Sequence, residues 1–145
     1  GVVGGVAGGL AAQRVGAVAE SVRVTAPGEF SSPDGSVAWR VGPAGRLLRS
    51  ADGGTTWSPQ NTGVKIDLLA GSAPSREVCW VVGRAGIVLL SVAGGEWRRI
   101  AFPEAVDLVA VSATDAITAS VTTVDGRLFA TSDGGKIWKM ENGKW

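Results

Sequence analysis

Tryptophan and aspartate at regular spacing are the residues of this sequence best placed to do chemistry. Trp57, Trp97 and Trp138 stand 40 and 41 residues apart. The first closes the run Ser50-Ala-Asp52-Gly53-Gly54-Thr-Thr-Trp57, and the third closes Asp133-Gly134-Gly135-Lys-Ile-Trp138. The middle run, Ala93-Gly94-Gly95-Glu-Trp97, is one residue shorter and has alanine where the others have aspartate. An indole can stack on a sugar or bury a large apolar surface. A carboxylate can act as acid or base, or tie down the amides of its own turn. Further carboxylates at Asp34, Asp67, Glu77, Glu96, Glu104, Asp107, Asp115 and Asp125 keep a two-carboxylate glycosidase formally open, but no spacing pairs them. Basic residues follow turn glycines at Arg46 and Arg127, with Arg84 in the turn between, and Arg98-Arg99 follows Trp97.

What is missing excludes more. The chain has no His and no Tyr, and Cys79 is its only cysteine. A histidine base, a Ser-His-Asp triad, a Cys-His pair and a His or multi-Cys zinc site are therefore absent, and no cofactor or metal is expected. Fourteen basic against 13 acidic residues give no field for nucleic acid. GVVGGVAGG, residues 1–9, follows no strand and lacks Lys-Ser/Thr, so it is no phosphate loop. Asp125-Gly126 lacks the rest of a calcium loop and reads as a hairpin turn. No small-molecule substrate is expected.

The elements that must carry these residues are strands. The 145 residues, 45% apolar, fit one domain. After Glu20 the apolar runs are short and β-branched, such as Val37–Val41, Val78–Val82 and Ile87–Leu90, each bounded by Gly, Pro, Asp or Ser. Residues 1–12, GVVGGVAGGLAA, are different: uncharged, too short to span a bilayer alone, and rich in small-xxx-small spacings such as Gly1/Gly5 and Gly5/Gly9. They read as the end of a membrane helix, as a flexible leader, or as a signal remnant.

The repeats extend beyond the tryptophan turns. VAWRVGPAG (37–45) matches VCWVVGRAG (78–86), and ASVTTVDG (119–126) keeps the turn while losing the inner tryptophan. Three copies of a roughly 40-residue unit, each with several short strands, predict propeller blades rather than a sandwich. The expected organisation is all-β: a membrane-type helix or leader over residues 1–20, then a partial propeller over 21–145 with blades near 21–62, 63–102 and 103–145.

The runs ending in Trp57 and Trp138 resemble the Asp box, the hairpin of bacterial-neuraminidase-type repeats. The whole repeat resembles the β-propeller family of the photosystem II stability and assembly factor. It also resembles propeller-like domains of bacterial membrane proteins that begin with an anti-sigma-type zinc finger. The likeness covers about residues 35–140 and implies architecture more than biochemical role. It implies that Ser50, Asp52, Gly53, Gly54, Trp57, Gly94, Gly95, Trp97, Asp133, Gly134, Gly135 and Trp138 are structural. Sialidases sharing the box need a Tyr nucleophile, which this chain lacks. No enzyme activity is expected.

Three blades are too few for a ring of ordinary geometry, so apolar end faces are expected to need cover. The candidate interface comprises Gly1, Gly5 and Gly9 in the membrane, Arg46 and Arg127 on a turn face, and Trp138, Met140 and Trp145 at the C-terminal end. The expected partners are subunits of a membrane complex or further copies of the chain. The expected role is a membrane-anchored assembly or accessory subunit whose propeller lies on the extracytoplasmic side, in a photosynthetic complex as one candidate. The alternative is the extracytoplasmic sensory domain of an anti-sigma-type regulator.

Overall fold

The computed structural model describes residues 28–93 and 96–141. The 1–20 segment with Gly1, Gly5 and Gly9, the turn glycines Gly94 and Gly95, and Trp145 lie outside the described residues.

Among the described residues twelve strands form three four-stranded antiparallel sheets, each a simple meander. The first holds β1 (Glu29–Ser31), β2 (Ala38–Val41), β3 (Leu47–Ser50) and β4 (Ser58–Pro59). The second holds β5 (Leu68–Ser72), β6 (Cys79–Gly83), β7 (Val88–Ser91) and β8 (Trp97–Ile100). The third holds β9 (Leu108–Ala113), β10 (Ala119–Thr123), β11 (Leu128–Thr131) and β12 (Lys139–Met140). Matching register pairs Ala38–Ser50, Cys79–Ser91 and Ala119–Thr131 show that the sheets are copies of one unit. The innermost strand β5 packs against β1 on one side and β9 on the other. This is a run of propeller blades. Among the described residues helix is limited to 3-10 turns at Pro43–Gly45 and Arg84–Gly86.

The blades adhere face to face through two apolar clusters. Trp39, Leu47, Val81 and Leu89 centre the first, between blades one and two. Trp80, Val82, Leu90, Val121, Phe129 and Trp138 centre the second, between blades two and three. Blade two is thus covered on both faces, and β6 and β7 are buried at every position. That is why its strands read as unbroken apolar runs rather than as alternation.

Turns between the two middle strands fix the spacing from one blade to the next. Gly45 has φ +78°, and a Cβ there would lie 1.9 Å from the Val64 carbonyl oxygen. Gly86, one repeat later, has φ +76° and would meet the Glu104 carbonyl oxygen at 2.1 Å. Only glycine satisfies both the left-handed backbone and the closeness of the following chain.

The end blades differ from the middle one at particular positions. The β2 position filled by Trp39, which packs toward blade two, is filled by Trp80 in β6 and by Ser120 in β10. Thr122 and Ala130 likewise replace Val82 and Leu90, so the outward side of blade three carries smaller and more polar side chains at these positions, with Leu128 remaining beside Thr122. In blade one, Arg40 and Leu48 occupy the places of Val81 and Leu89. The expectation of an apolar C-terminal end face is corrected here. Trp138 is 7% exposed and packs inward on blade two, and Met140 packs on the same cluster. Ile137, between turn and strand, is exposed (61%), and Val124 and Ile117 in the turns of the same blade are exposed too.

Candidate interaction surface

Each complete box is a turn wrapped around one carboxylate. Ser50 Oγ donates to Asp52 Oδ1 at 2.7 Å and accepts the Gly54 amide at 2.8 Å. Asp52 Oδ1 accepts the amides of Thr55 at 3.0 Å and Thr56 at 2.8 Å. The Thr56 hydroxyl and amide, with the Ser50 hydroxyl, hold the Asp52 carboxyl well below the usual carboxylate range. Blade three repeats the pattern with threonine in place of serine. Thr131 Oγ1 donates to Asp133 at 2.8 Å, and Asp133 Oδ1 accepts the amides of Lys136 at 3.1 Å and Ile137 at 3.0 Å. The Asp133 carboxyl is lowered chiefly by the Ile137 amide and then by the Thr131 hydroxyl. In the middle copy Ala93 sits at φ 64° and brings no carboxylate.

The three box tryptophans have three different surroundings. Trp138 Nε1 donates to the Ala101 carbonyl at 3.0 Å, and its ring meets Trp80 edge-on at 6.3 Å between centroids. Trp97 packs on the cluster between blades one and two, with its buried Nε1 unpartnered. Trp57 does not lie between two blades. Its Nε1 donates to Gly54 within the turn at 3.1 Å, and the Arg40 guanidinium lies over its ring at 4.1 Å. These rings are packing groups, not a row of open sugar platforms.

A second repeated device lies on the turn face and escaped the sequence reading. Asp67 Oδ1 accepts the Ala44 amide at 3.0 Å, and Asp107 Oδ1 accepts the Ala85 amide at 3.0 Å. Each carboxylate opens one blade and caps the left-handed turn of the blade before it, since Ala44 and Ala85 have φ 58° and 56°. Arg84 bridges the pair, from Nε to Asp67 at 3.1 Å and from Nη1 to Asp107 at 3.0 Å. The recurring Ile66-Asp67-Leu68 and Val106-Asp107-Leu108 is the sequence signal that marks it.

The turn arginines do not form one free basic cluster. Arg127 holds Glu104 in a bidentate pair at 2.7 and 2.8 Å and reaches Asp125 through Nε at 3.1 Å. Glu104 is lowered by this guanidinium, and Asp125 is lowered first by the Thr123 hydroxyl and then by Arg127. Arg127 therefore joins the third blade to the loop that precedes it. Arg46 is exposed and makes no ion pair among the described residues. Asp34 accepts from Ser32, Ser36 and Arg76.

Repeated four-stranded blades with hairpin-locked carboxylates define the chain as a partial β-propeller. The family model described as "Photosynthesis system II assembly factor YCF48" matches residues 23–143, and the chain belongs to that family. Among solved structures it resembles YCF48 from Cyanidioschyzon merolae, with 28% identity and a TM-score of 0.67, over 77% of this chain and 38% of that one. It also resembles the fold of a YCF48 bound to D1 peptide, at 23% identity and a TM-score of 0.66, over 83% of this chain and 44% of that one. The chain thus spans less than half the length of either structure. No curated protein matches it.

Proposed function

We propose that this chain is a non-enzymatic assembly module whose blades hold a protein segment of a photosynthetic membrane complex during its construction. Membership of the assembly-factor family carries this reading, and it is supported by a relative whose solved structure holds a D1 peptide. The site chemistry agrees: Asp52, Asp133, Asp67 and Glu104 are committed to turn amides or to arginines, which suits a rigid scaffold better than proton transfer.

In this proposal residues 1–20 anchor the chain to the membrane, with the Gly1/Gly5/Gly9 stripe against a partner helix. The blades lie on the extracytoplasmic side, against the extrinsic face of the complex. Trp145 adds a contact to a neighbouring polypeptide. Deleting the gene and following pigment–protein complexes on native gels tests the role. Accumulation of incomplete photosynthetic complexes, with the free subunits still synthesised, is the expected result. Normal assembly kinetics would overturn it, and altered sigma-factor-dependent transcription would instead support the regulator reading.

A further inference from the structure

Resting on the reading of the chain as a protein-interaction module, we propose that the outer edge of the second sheet docks an extended, acidic segment of a partner polypeptide. Strand β8 is the last in its sheet and pairs only with β7. Among the described residues, no backbone hydrogen bond from outside the sheet reaches Trp97–Ile100. The outer strands of the other blades are two residues long, and β4 ends on Pro59, so they offer little ladder. Strand β8 has four residues and no proline.

Charge on this edge selects the partner. Arg40, Arg76, Arg84 and Arg127 each pair with a carboxylate. Arg98 and Arg99 are exposed and make no ion pair among the described residues. Their side chains alternate: Arg98 stands opposite Leu90, whose face turns to blade three, and Arg99 opposite Leu89, whose face turns to blade one. A strand added to β8 therefore meets a cation on each of its faces. Beside Arg98 runs a groove of about 520 Å³ between blades two and three, with Lys136 on its far wall. Val92 and Ile117 line it and are 44% and 55% exposed, so an apolar side chain of the bound strand would cover them. Main-chain bonds supply general affinity, whereas the two arginines repel basic strands and favour acidic strands over neutral ones.

The test uses the purified full chain and fluorescein-labelled octapeptides carrying Glu-Glu between two apolar residues (Leu, Val, Ile or Phe), with Lys-Lys counterparts. Anisotropy is expected to show binding of the Glu-Glu set, and amide exchange of residues 97–100 is expected to slow on binding. Arg98→Glu together with Arg99→Glu, both at exposed positions, should weaken binding about tenfold or more and shift preference to the Lys-Lys set. Circular dichroism confirms that this variant is folded. Binding unaffected by the charge reversal, binding without protection of β8, or no binding by any Glu-Glu peptide would overturn the proposal. A variant that still assembles photosynthetic complexes normally would sink this docking edge alone, whereas normal assembly without the gene would sink the function on which it rests.

Discussion

Asp107 caps the Ala85 amide of the preceding blade at 3.0 Å, and Asp67 caps Ala44 at the same distance one repeat earlier. The two carboxylates are joined through Arg84, so successive blades are tied at their turns as well as through their cores. Replacing Asp107 by alanine leaves the Ala85 amide without its acceptor and Arg84 with one partner instead of two. Asp107→Ala should lower the thermal midpoint more than Asp107→Asn, which keeps an acceptor oxygen. Equal midpoints for the two would show that the cap is not what matters there.

Acid should loosen the blades through Asp52, Asp67 and Asp133. Asp52, Asp67 and Asp133 ionise below their ordinary value of 3.8 in the folded chain. As pH falls, the unfolded chain takes up protons first, so the stabilisation is complete above that value and drains away as pH falls toward the folded values. The groups are solvent-accessible, so each contribution is modest. Urea midpoints should be level from about pH 7 to 5 and fall below about pH 4. A rise in stability on acidification would contradict the assignment.

Left-handed alanines offer a gain. Ala44, Ala85 and Ala93 all have φ near +60°, where a Cβ is unfavourable. Ala85→Gly should stabilise by about 0.5–1 kcal/mol, because relief of backbone strain exceeds the added chain entropy. Gly86→Ala, where a Cβ would lie 2.1 Å from the Glu104 carbonyl oxygen, should destabilise by about 2 kcal/mol or more. Paired melts of the two variants check the opposite signs.

Blade two is the keystone. Trp80 is fully buried, and its Nε1 donates to the Asp115 carbonyl at 2.9 Å in blade three. Trp80→Ala should cost about 3–5 kcal/mol. Ser120→Ala, at the matching position of blade three, should lie within about 0.5 kcal/mol of the parent. Burial also pushes the Cys79 thiol well above its ordinary value, so a thiol reagent should label it only on unfolding.

The boxes were legible because each is encoded within about ten contiguous residues: hydroxyl, carboxylate, glycine pair and indole. The blade count followed from their recurrence. Contacts between repeats were not legible in the same way. Asp67 caps a turn 23 residues earlier, and the pairing becomes visible only when blades are stacked. The pairing of Arg127 was hidden because Glu104 lies 23 residues upstream, in the loop before the first strand of blade three. Trp138 was expected on an end face because a two-residue strand gives no alternation from which to read its side. The exchange of Trp39 and Trp80 for Ser120 was noticed as a lost tryptophan, although its meaning lies in which face each residue occupies.

The proposed role of the chain is that of a bound scaffold within a photosynthetic complex. Mild-detergent purification of the tagged full-length protein from its native membranes, followed by mass spectrometry of what is retained, tests this most directly. Co-purification of reaction-centre subunits, enriched in assembly intermediates over mature complexes, is the predicted result. Recovery of the protein alone, or with a sigma factor and no photosynthetic subunit, would contradict it.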